Sequence, residues 1–439
     1  MPRPVFFVPS TSLFGRACFF AKMLMSLLTR ALFVLCSISS LFAQSDAMRS
    51  MNSAGMSLME QASGTSMNPL ASTEPSMIMR TAAGWNWMFM GEGFLVDTQQ
   101  AGPRGHDKLF SPNWLMIGAE HHLGKGSLMV SLMLSLEPAT VTSRRYPELF
   151  QTGETAYGAP LVDAQHPHNF IMGLSLTYAH EMGTSGLWQV YYAPVGDPAL
   201  GPVAFPHRAS AIDLPQATIG HHWQDATHIS YNVATTALAF KKFRWELSSF
   251  HGAEPSENRW VIAYGGMDSW STRLSVLPNR HWLAQFSAGR ITHPESTSNG
   301  DVVRTTASLH YTKALRGGDW SSSLIWGRNH YTDTKQNGDA YTIESVLPVS
   351  RKSSLTGRIE FVDKNELFTT VPSLARQTFQ IGAYTAGYSR EIGTALKTIQ
   401  LALGANASAY SVQSAIASYY GSHPWGVDAF LRFRLKPPH

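Results

Sequence analysis

Apolar and polar residues alternate one for one along four short runs between Asp268 and Arg328. In one of these runs, Val303, Ala307 and Leu309 share one side of the chain, while Arg304 and other polar residues share the opposite side. A period of two predicts β-strands with one apolar face and one polar face. A soluble sandwich would bury the apolar face in a shared core, whereas a membrane barrel would turn it towards lipid.

Segments with this pattern recur from Trp85 to the end of the chain, and we predict sixteen strands. Because strand boundaries drift by a few residues, roughly fourteen or eighteen strands would also be compatible with the pattern. The predicted strands span residues 85–97, 110–122, 126–137, 169–181, 187–193, 227–240, 243–251, 268–277, 281–292, 302–313, 320–328, 340–349, 354–363, 376–389, 396–410 and 426–435.

The connections between these strands alternate between long and short. Residues 138–168 and 194–226 form the longest connections, whereas residues 123–125 are short enough for a tight turn. Outer-membrane barrels have an even number of antiparallel strands, short periplasmic turns and longer outer loops. The fold prediction is therefore an all-β, transmembrane, antiparallel up-and-down barrel over residues 85–435, with a short tail at 436–439.

Composition agrees with a barrel rather than with soluble domains. Charged residues make up 15% of the 439-residue chain, against about a quarter in typical globular proteins. Aromatic residues make up 11%, yet the mean hydropathy is only −0.11, as expected for strands with half of their side chains facing lipid. The formal net charge of +4 is too mild to indicate a nucleic-acid partner.

The first 43 residues have the pattern of a secretory signal peptide. Lys22 and Arg30 precede an apolar run that ends near Ala43, and small and polar residues follow it. We place cleavage near Ala43, and translation could instead begin at Met23 or Met25. Together with the strands, this signal predicts export to a bacterial outer membrane.

Both cysteines, Cys18 and Cys36, lie within this leader. The mature chain would therefore have neither disulfides nor thiolate metal sites. No later run reaches the roughly 18 apolar residues that a membrane helix needs, so strands are expected to cross the membrane.

Residues 44–84 are rich in methionine, serine, alanine and glycine and show neither helical nor strand periodicity. We predict a disordered, Met-rich periplasmic segment. Thioethers are soft ligands that select Cu(I), and two Met-x-x-Met pairs occur here, although a tether without ligands is the alternative. The candidate copper ligands are Met48, Met51, Met56 and Met59.

Nine charged residues lie on the polar strand faces, and arginines outnumber acids among them. They could be solvated lumen residues that pair across strands, or a basic pore wall that favours anions. These candidate pore-lining residues are Arg244, Glu246, Arg273, Arg304, Arg358, Glu360, Asp428, Arg432 and Arg434.

Two long connections hold several histidines. His166 and His168 are two residues apart, so both rings would face one side of an extended chain. Neutral imidazole with carboxylate suits Zn, Cu(II) or Ni, and a metal site built from both connections is one interpretation. The alternative is that these residues only stabilise the loops. The candidate ligands are His166, His168, His207, His221, His222, Asp225 and His228.

The loops resemble those of an uncharacterised family of bacterial outer-membrane barrel proteins. The resemblance runs from about Trp85 to the last strand. It depends on the motifs Gln151-Thr-Gly-Glu-Thr155, Gln165-His-Pro-His-Asn169, Gly196-Asp-Pro-Ala-Leu-Gly-Pro-Val-Ala-Phe205 with His207-Arg208, and Gly220-His-His-Trp-Gln-Asp-Ala-Thr-His-Ile229.

This family occurs beside copper and heavy-metal efflux genes and carries a Met-rich N-terminus. The resemblance therefore implies a metal-resistance setting, without an established activity or established functional residues. This sequence departs from the family pattern at Pro206 and Asn169, where other members often carry Met and Asp.

Three functions are compatible with these patterns. The first is a passive, porin-like channel whose constriction is formed by residues 194–226, because the third outer loop of porins folds inward. The second is a copper- or heavy-metal-binding efflux accessory barrel that uses the histidine loops and the methionines. The third is a structural or adhesin-like barrel with a blocked lumen.

We predict no enzymatic activity and no catalytic residue, because the chain has no Gly-x-Ser-x-Gly elbow. Asp163 with His166, or Asp225 with His222, are the pairs of an acid and a histidine from which an enzymatic site could be argued. No resident cofactor is assigned, and Cu and Zn are the candidates. The expected partners are outer-membrane lipid, the outer-membrane assembly machinery, and small solutes or metal ions. A homotrimer is the assembly to test.

Overall fold

A computed structural model describes residues 51–296, 300–375 and 377–438. Within these ranges the strands are, in chain order, β1 (Gln61–Ser63), β2 (Ser66–Met67), β3 (Ile78–Ala82), β4 (Trp85–Gln100), β5 (Lys108–Phe110), β6 (Asn113–Leu123), β7 (Gly126–Leu134), β8 (Tyr146–Ala156), β9 (Ala159–Gln165), β10 (Ile171–Met182), β11 (Gly186–Gly196), β12 (Ser230–Phe240), β13 (Phe243–His251), β14 (Ser269–Asn279), β15 (Trp282–Ile291), β16 (Val302–Leu315), β17 (Gly318–Tyr331), β18 (Asn337–Ser350), β19 (Ser353–Lys364), β20 (Phe379–Ala395), β21 (Ile399–Ser411) and β22 (Trp425–Leu435).

The helices of the described residues are short. The α-helices are α1 (Ser53–Met59), α2 (Glu137–Thr140), α3 (His221–Gln224) and α4 (Ala417–Tyr420), and the 3₁₀ turns are Thr142–Arg144, Phe205–His207, Ala226–His228 and Ser414–Ile416. None of the helices in this part of the chain has the length and apolar character that a membrane crossing requires.

Sixteen antiparallel strands of the described chain close into one barrel, which confirms the predicted fold class and strand number. The sixteen are β4, β6, β7 and β10 to β22. Each pairs with the next along the chain, and β22 closes the barrel against β4 through pairs such as Phe430 with Val96. Three-residue β5 and five-residue β3 extend the pairing of β4.

The long and short connections alternate along the barrel as predicted, so they lie at opposite ends. We call these the loop end and the turn end. The chain enters β4 and leaves β22 at the turn end, because both strands are joined to long connections at their other ends.

Polar residues face the inside of the barrel and apolar residues face outward. On β14 the side chain of Trp270 is 51% exposed and that of Leu274 is 42% exposed, whereas Ser271 and Arg273 are buried. This arrangement is the reverse of a water-soluble protein, in which burial of apolar surface provides the main driving force. An apolar exterior of this kind suits hydrocarbon surroundings.

The interior is filled by the connection between β11 and β12. Residues 197–229, here called the inner loop, are buried almost without interruption. The loop is held away from the strand plane in the lumen, where it contacts the inward side chains of β14, β16, β18, β19 and β22. The inner loop therefore lies inside the barrel wall.

The prediction of a disordered segment over 44–84 is corrected from residue 51 onward. Residues 51–84 form α1, the β1–β2 hairpin and β3. The Asn52 side chain caps α1 by accepting from the Gly55 N–H at 2.7 Å. Ala54 and Leu58 are fully buried among inward methionines of the barrel wall, including Met88 and Met129.

Two features explain why the sequence did not predict the ordered structure of this segment. Helix α1 has only seven residues, too few for a helical period to be read. Its apolar partners lie on β6, β7 and β10, so the packing is non-local. The methionines are adaptable side chains that fill this irregular interior. The predicted signal peptide and Met48 lie outside the described residues.

Candidate functional site

The backbone of the inner loop makes several of the contacts that fasten the loop to the barrel wall. Arg273 Nη1 donates to the Gly201 carbonyl at 3.2 Å, and Arg358 Nη1 donates to the Gln216 and Ala217 carbonyls, each at 3.1 Å. Arg304 donates to the His222 carbonyl, which also accepts from the Asn329 side chain at 3.0 Å. Guanidinium groups suit this task because they present several donors in a fixed plane.

A buried carboxylate also links the wall to the loop. Glu344 of β18 accepts from Arg208 of the inner loop at 2.5 Å and from Arg358 of β19 at 3.1 Å. Arg208 also contacts Asp225 at 3.0 Å, which joins the first half of the loop to its C-terminal part. Removing one member of such a buried network leaves an uncompensated charge, which costs about 3–5 kcal/mol.

A second link lies near the seam between β22 and β4. Asp213 of the inner loop pairs with Arg432 and Arg434, and Arg434 Nη2 also donates to the Ile212 carbonyl at 2.8 Å. Glu92 of β4 completes this group by pairing with Arg434. The inner loop is thus bound to β22, and Arg434 of that strand also pairs with Glu92 of β4 across the seam.

All nine candidate pore-lining residues face the interior and are buried. Several of them bind the inner loop, as described above, and Arg273 and Arg244 pair with Glu246. The interpretation of a basic wall facing open water does not describe this arrangement, because these arginines contact carboxylates or carbonyls.

A second hairpin lies over the inner loop at the loop end. This hairpin, β8–β9, forms its own two-stranded sheet and was not among the predicted strands. Gln151 donates to the Thr218 carbonyl of the inner loop at 3.1 Å, and Phe150 stacks on Tyr420 with ring centroids 4.3 Å apart. We call it the cover hairpin.

The cover hairpin carries a buried ion pair. Asp163 lies 2.7 Å from Arg104 Nε and accepts hydrogen bonds from the Phe150 N–H and the Tyr420 hydroxyl. Burial raises the pKa of Asp163 to about 6, although the nearby Arg104 charge opposes that shift.

The free volume within the barrel is small beside the inner loop. A cavity between the loop and Arg358, Glu360 and Asp428 measures about 30 Å³, which is room for about two water molecules. Wider spaces of about 480 Å³ and about 370 Å³ lie at the loop end beside Arg104 and at the turn end beside Met59.

The histidines of the two predicted loops converge. Ring centroids lie 6.2 Å apart for His166 and His222, 5.3 Å for His168 and His228, and 5.2 Å for His221 and His228. Residues 166 and 221 are more than fifty positions apart in the chain, so the barrel brings them together. His207 lies beside Trp114 instead, with centroids 4.3 Å apart.

Most of these rings have one nitrogen held by an acceptor. The Nδ1 atoms of His168, His221 and His228 lie 2.8 Å from Glu137, 2.6 Å from the Asp225 carboxylate and 3.0 Å from the Asp225 carbonyl. Among the described residues, Nε2 of His168 and Nε2 of His228 are buried without a hydrogen-bonding partner. Asp225 therefore orients two histidines.

Burial favours the neutral form of His166, His222 and His228. It lowers the pKa of His166 to about 4 and lowers the pKa of His222 and His228 well below the usual value. Neutral imidazole is the form that can bind a metal ion.

In the described part of the chain, one group of three residues places its ligand atoms within 4.8 Å of one another. It consists of His222, Glu254 and Glu295. Of the predicted ligands, only His222 belongs to it. Glu254 and Glu295 were missed because each is an isolated acid in a different loop, with no motif around it. Met51, Met56 and Met59 lie far from this group, in the segment at the turn end.

Comparison with protein-family models gives no match, and comparison with curated proteins gives none either. Solved structures of similar fold include OmpF of Salmonella typhi in complex with daunomycin, at 8% identity and a TM-score of 0.50, covering 82% of this chain and all of that one. The anion-selective porin of Comamonas acidovorans has 13% identity and a TM-score of 0.48, covering 80% and 100% of the two chains. The channel DcaP of Acinetobacter baumannii has 10% identity and a TM-score of 0.47, covering 81% and 99%. At these identities the likeness shows the barrel fold alone.

Proposed function

We propose that this protein is a porin-like barrel of the bacterial outer membrane whose channel is closed by the inner loop. The observation that carries the proposal is the burial of residues 197–229 inside the barrel, with their carbonyls bound by wall arginines. This proposal sharpens the expected constriction at 194–226 into a plug that fills the lumen.

The apolar exterior supports the membrane location. Outward residues such as Trp245, Phe286 and Ile343 are about half exposed, while their neighbours along each strand are buried and polar. In water such a surface would drive aggregation, whereas in a bilayer it contacts lipid chains. We place the loop end outside the cell and the turn end in the periplasm, following the barrel convention.

Planar-bilayer recording tests the closed channel. We expect the native protein to conduct weakly and a variant with residues 203–219 replaced by a short Gly-Ser linker to open a wide, stable pore. A matched control shortens the exposed connection 332–336, which does not enter the lumen. Circular dichroism verifies that each variant keeps its β-structure. Large conductance of the native protein, or equal conductance before and after the deletion, would contradict the proposal.

A second candidate function is metal binding in a metal-resistance setting. It is supported by the neutral, convergent imidazoles whose Nδ1 atoms are oriented by acceptors, a frequent arrangement around metal-binding histidines. Replacing His166, His168, His221 and His222 together should abolish Cu or Zn binding, as measured by metal analysis of the purified protein. Unchanged affinity would end this idea.

Other expectations stay predictions. Export by the signal peptide, insertion by the outer-membrane assembly machinery and a homotrimer each require a separate experiment. A structural or adhesin-like barrel is the outcome if neither the native protein nor the loop deletion conducts and no metal binds.

A further inference from the structure

We propose that a divalent cation binds between His222 of the inner loop and Glu254 and Glu295 of two loops at the rim, and that it locks the plug in place. The locking role depends on the proposed closed channel, whereas the cation site itself does not.

The geometry of the three residues points to a shared ion. His222 Nδ1 lies 3.1 Å from Glu254 Oε1 and 3.9 Å from Glu295 Oε1. Ligand atoms about 3.4 Å apart are expected around an ion with bonds of about 2.0–2.2 Å in tetrahedral geometry. Small side-chain movements would therefore bring all three groups onto one ion.

The surroundings favour a cation at this point. The side chains of His222 and Glu295 are 4% and 8% exposed, and Glu254 Oε2 is buried without a hydrogen-bonding partner among the described residues. Glu366 adds a third carboxylate that repels Glu254 and Glu295. Buried like charges are costly unless a counter-charge is present.

Two basic residues face this group, and each also makes contacts elsewhere, although Arg304 Nη1 has no hydrogen-bonding partner among the described residues. Arg304 donates to the His222 carbonyl and to Asn329 Oδ1 at 2.9 Å. Lys364 Nζ donates to Gln151 at 3.2 Å and lies 4.9 Å from the centre of the Trp223 ring. A divalent ion at this point would supply a counter-charge shared directly by Glu254 and Glu295.

The cover hairpin leaves room for the imidazole of His222. Gly153 has φ +109°, and a Cβ built there would lie 2.3 Å from His222 Cε1. Any other residue at position 153 would collide with the ring. The backbone of the cover hairpin therefore fixes the ring that supplies the nitrogen ligand.

One imidazole and two carboxylates match the ligand preferences of zinc, with a fourth position for water or Glu366. The three ligands come from three separate connections, 197–229, 252–268 and 292–301. An ion bound to all three would tie the plug to the rim beside the Arg304 contact. Loss of the ion would then leave the middle of the inner loop held by fewer contacts.

Zinc titration of the purified, EDTA-treated barrel tests the site. We expect one zinc ion to bind by calorimetry, and Glu254→Gln with Glu295→Gln to weaken binding at least tenfold. Glu257→Gln is the matched control, because that carboxylate lies on the same rim loop but pairs with Arg144 instead.

Two further measurements keep the proposal testable if the double variant folds poorly. Zinc-edge X-ray absorption of the native protein should show one imidazole with oxygen ligands, and Gly153→Ala should weaken binding by displacing the ring. Equal zinc affinity in the native and Glu254→Gln/Glu295→Gln proteins, or a shell of several imidazoles, would overturn the site.

Conductance measurements distinguish zinc binding at this site from the proposed role of the ion in locking the inner loop. EDTA should increase channel openings of the native protein, and zinc should reverse the effect. Zinc binding at this site with unchanged conductance would overturn the locking role. A native protein that conducts widely with zinc bound would instead overturn the closed channel and leave the cation site standing.

Discussion

Arg273 on β14 donates through Nη2 to the hydroxyl of Thr65, 2.7 Å away and 208 residues earlier in the chain. The same guanidinium pairs with Glu246 and contacts the inner loop at Gly201. One wall residue therefore holds the N-terminal hairpin and the plug together inside the barrel.

Arg273→Ala should destabilise the interior strongly. It leaves Glu246 paired only with Arg244 and frees both the β1–β2 hairpin and the inner loop. Removing one partner of a buried ion pair costs about 3–5 kcal/mol, which denaturant unfolding in detergent would measure. Arg328→Ala is the control, because its pair with Asp339 is exposed and is worth about 0–1 kcal/mol. Equal losses in the two variants would refute the buried role.

Glu344→Gln should loosen the plug without removing it. Glu344 joins Arg208 of the inner loop to Arg358 of the wall, and an amide cannot balance both guanidinium charges. We expect more frequent openings in single-channel recordings and an unchanged unit conductance of the open state. Asp339→Asn, which changes an exposed acid on the same strand, should have no effect on gating. A closed fraction that stays the same in Glu344→Gln would mean that the contact does not hold the plug.

Leu58→Ala should detach the N-terminal segment. The side chain is fully buried against the methionines of the wall, and removing such a side chain costs about 2–5 kcal/mol. The expected result is faster protease cleavage within residues 51–77, while the barrel itself stays intact. Ser53→Ala, at an exposed position of the same helix, should leave the cleavage rate unchanged. Equal cleavage rates would show that α1 is not anchored through Leu58.

The cover hairpin should make stability depend on pH through Asp163. Burial raises its pKa from an unfolded value near 3.8 to about 6, so the folded state binds the proton more tightly. The contribution of Asp163 to the free energy of unfolding is therefore fully present below about pH 4 and is lost as the pH rises through about 6. The shift corresponds to about 3 kcal/mol. Between pH 4 and 7 the unfolding free energy of the native protein should fall relative to that of Asp163→Asn. Parallel curves for the two proteins would contradict this assignment.

Strands were predictable because their signal is local. The alternation around Trp270 and Arg273 can be recognised without knowing which strand pairs with it. The pattern of long and short connections predicted which strand ends lie at the same end of the barrel. The sequence placed the loops of His166 and His222 at one end of the barrel but left open whether their rings converge.

The remaining features depend on contacts between distant segments. Nothing around Leu58 indicates that its helix packs on β6, β7 and β10, and nothing around Glu254 or Glu295 marks them as neighbours of His222. The cover hairpin was missed because its strands pair irregularly, with register shifts around Thr152. Pairing of wall arginines with backbone carbonyls leaves no trace in the sequence of the loop itself.

The pairing of wall arginines with backbone carbonyls has an evolutionary consequence. The wall arginines donate hydrogen bonds to main-chain carbonyls, and every amino acid supplies the same carbonyl. The carbonyls that accept these bonds are those of Gly201, Gln216, Ala217 and His222. At these positions selection acts on the path of the backbone rather than on the identity of the side chain. Descendants of this protein could differ at many positions of the inner loop and still hold it inside the barrel, provided that the arginines around it are retained.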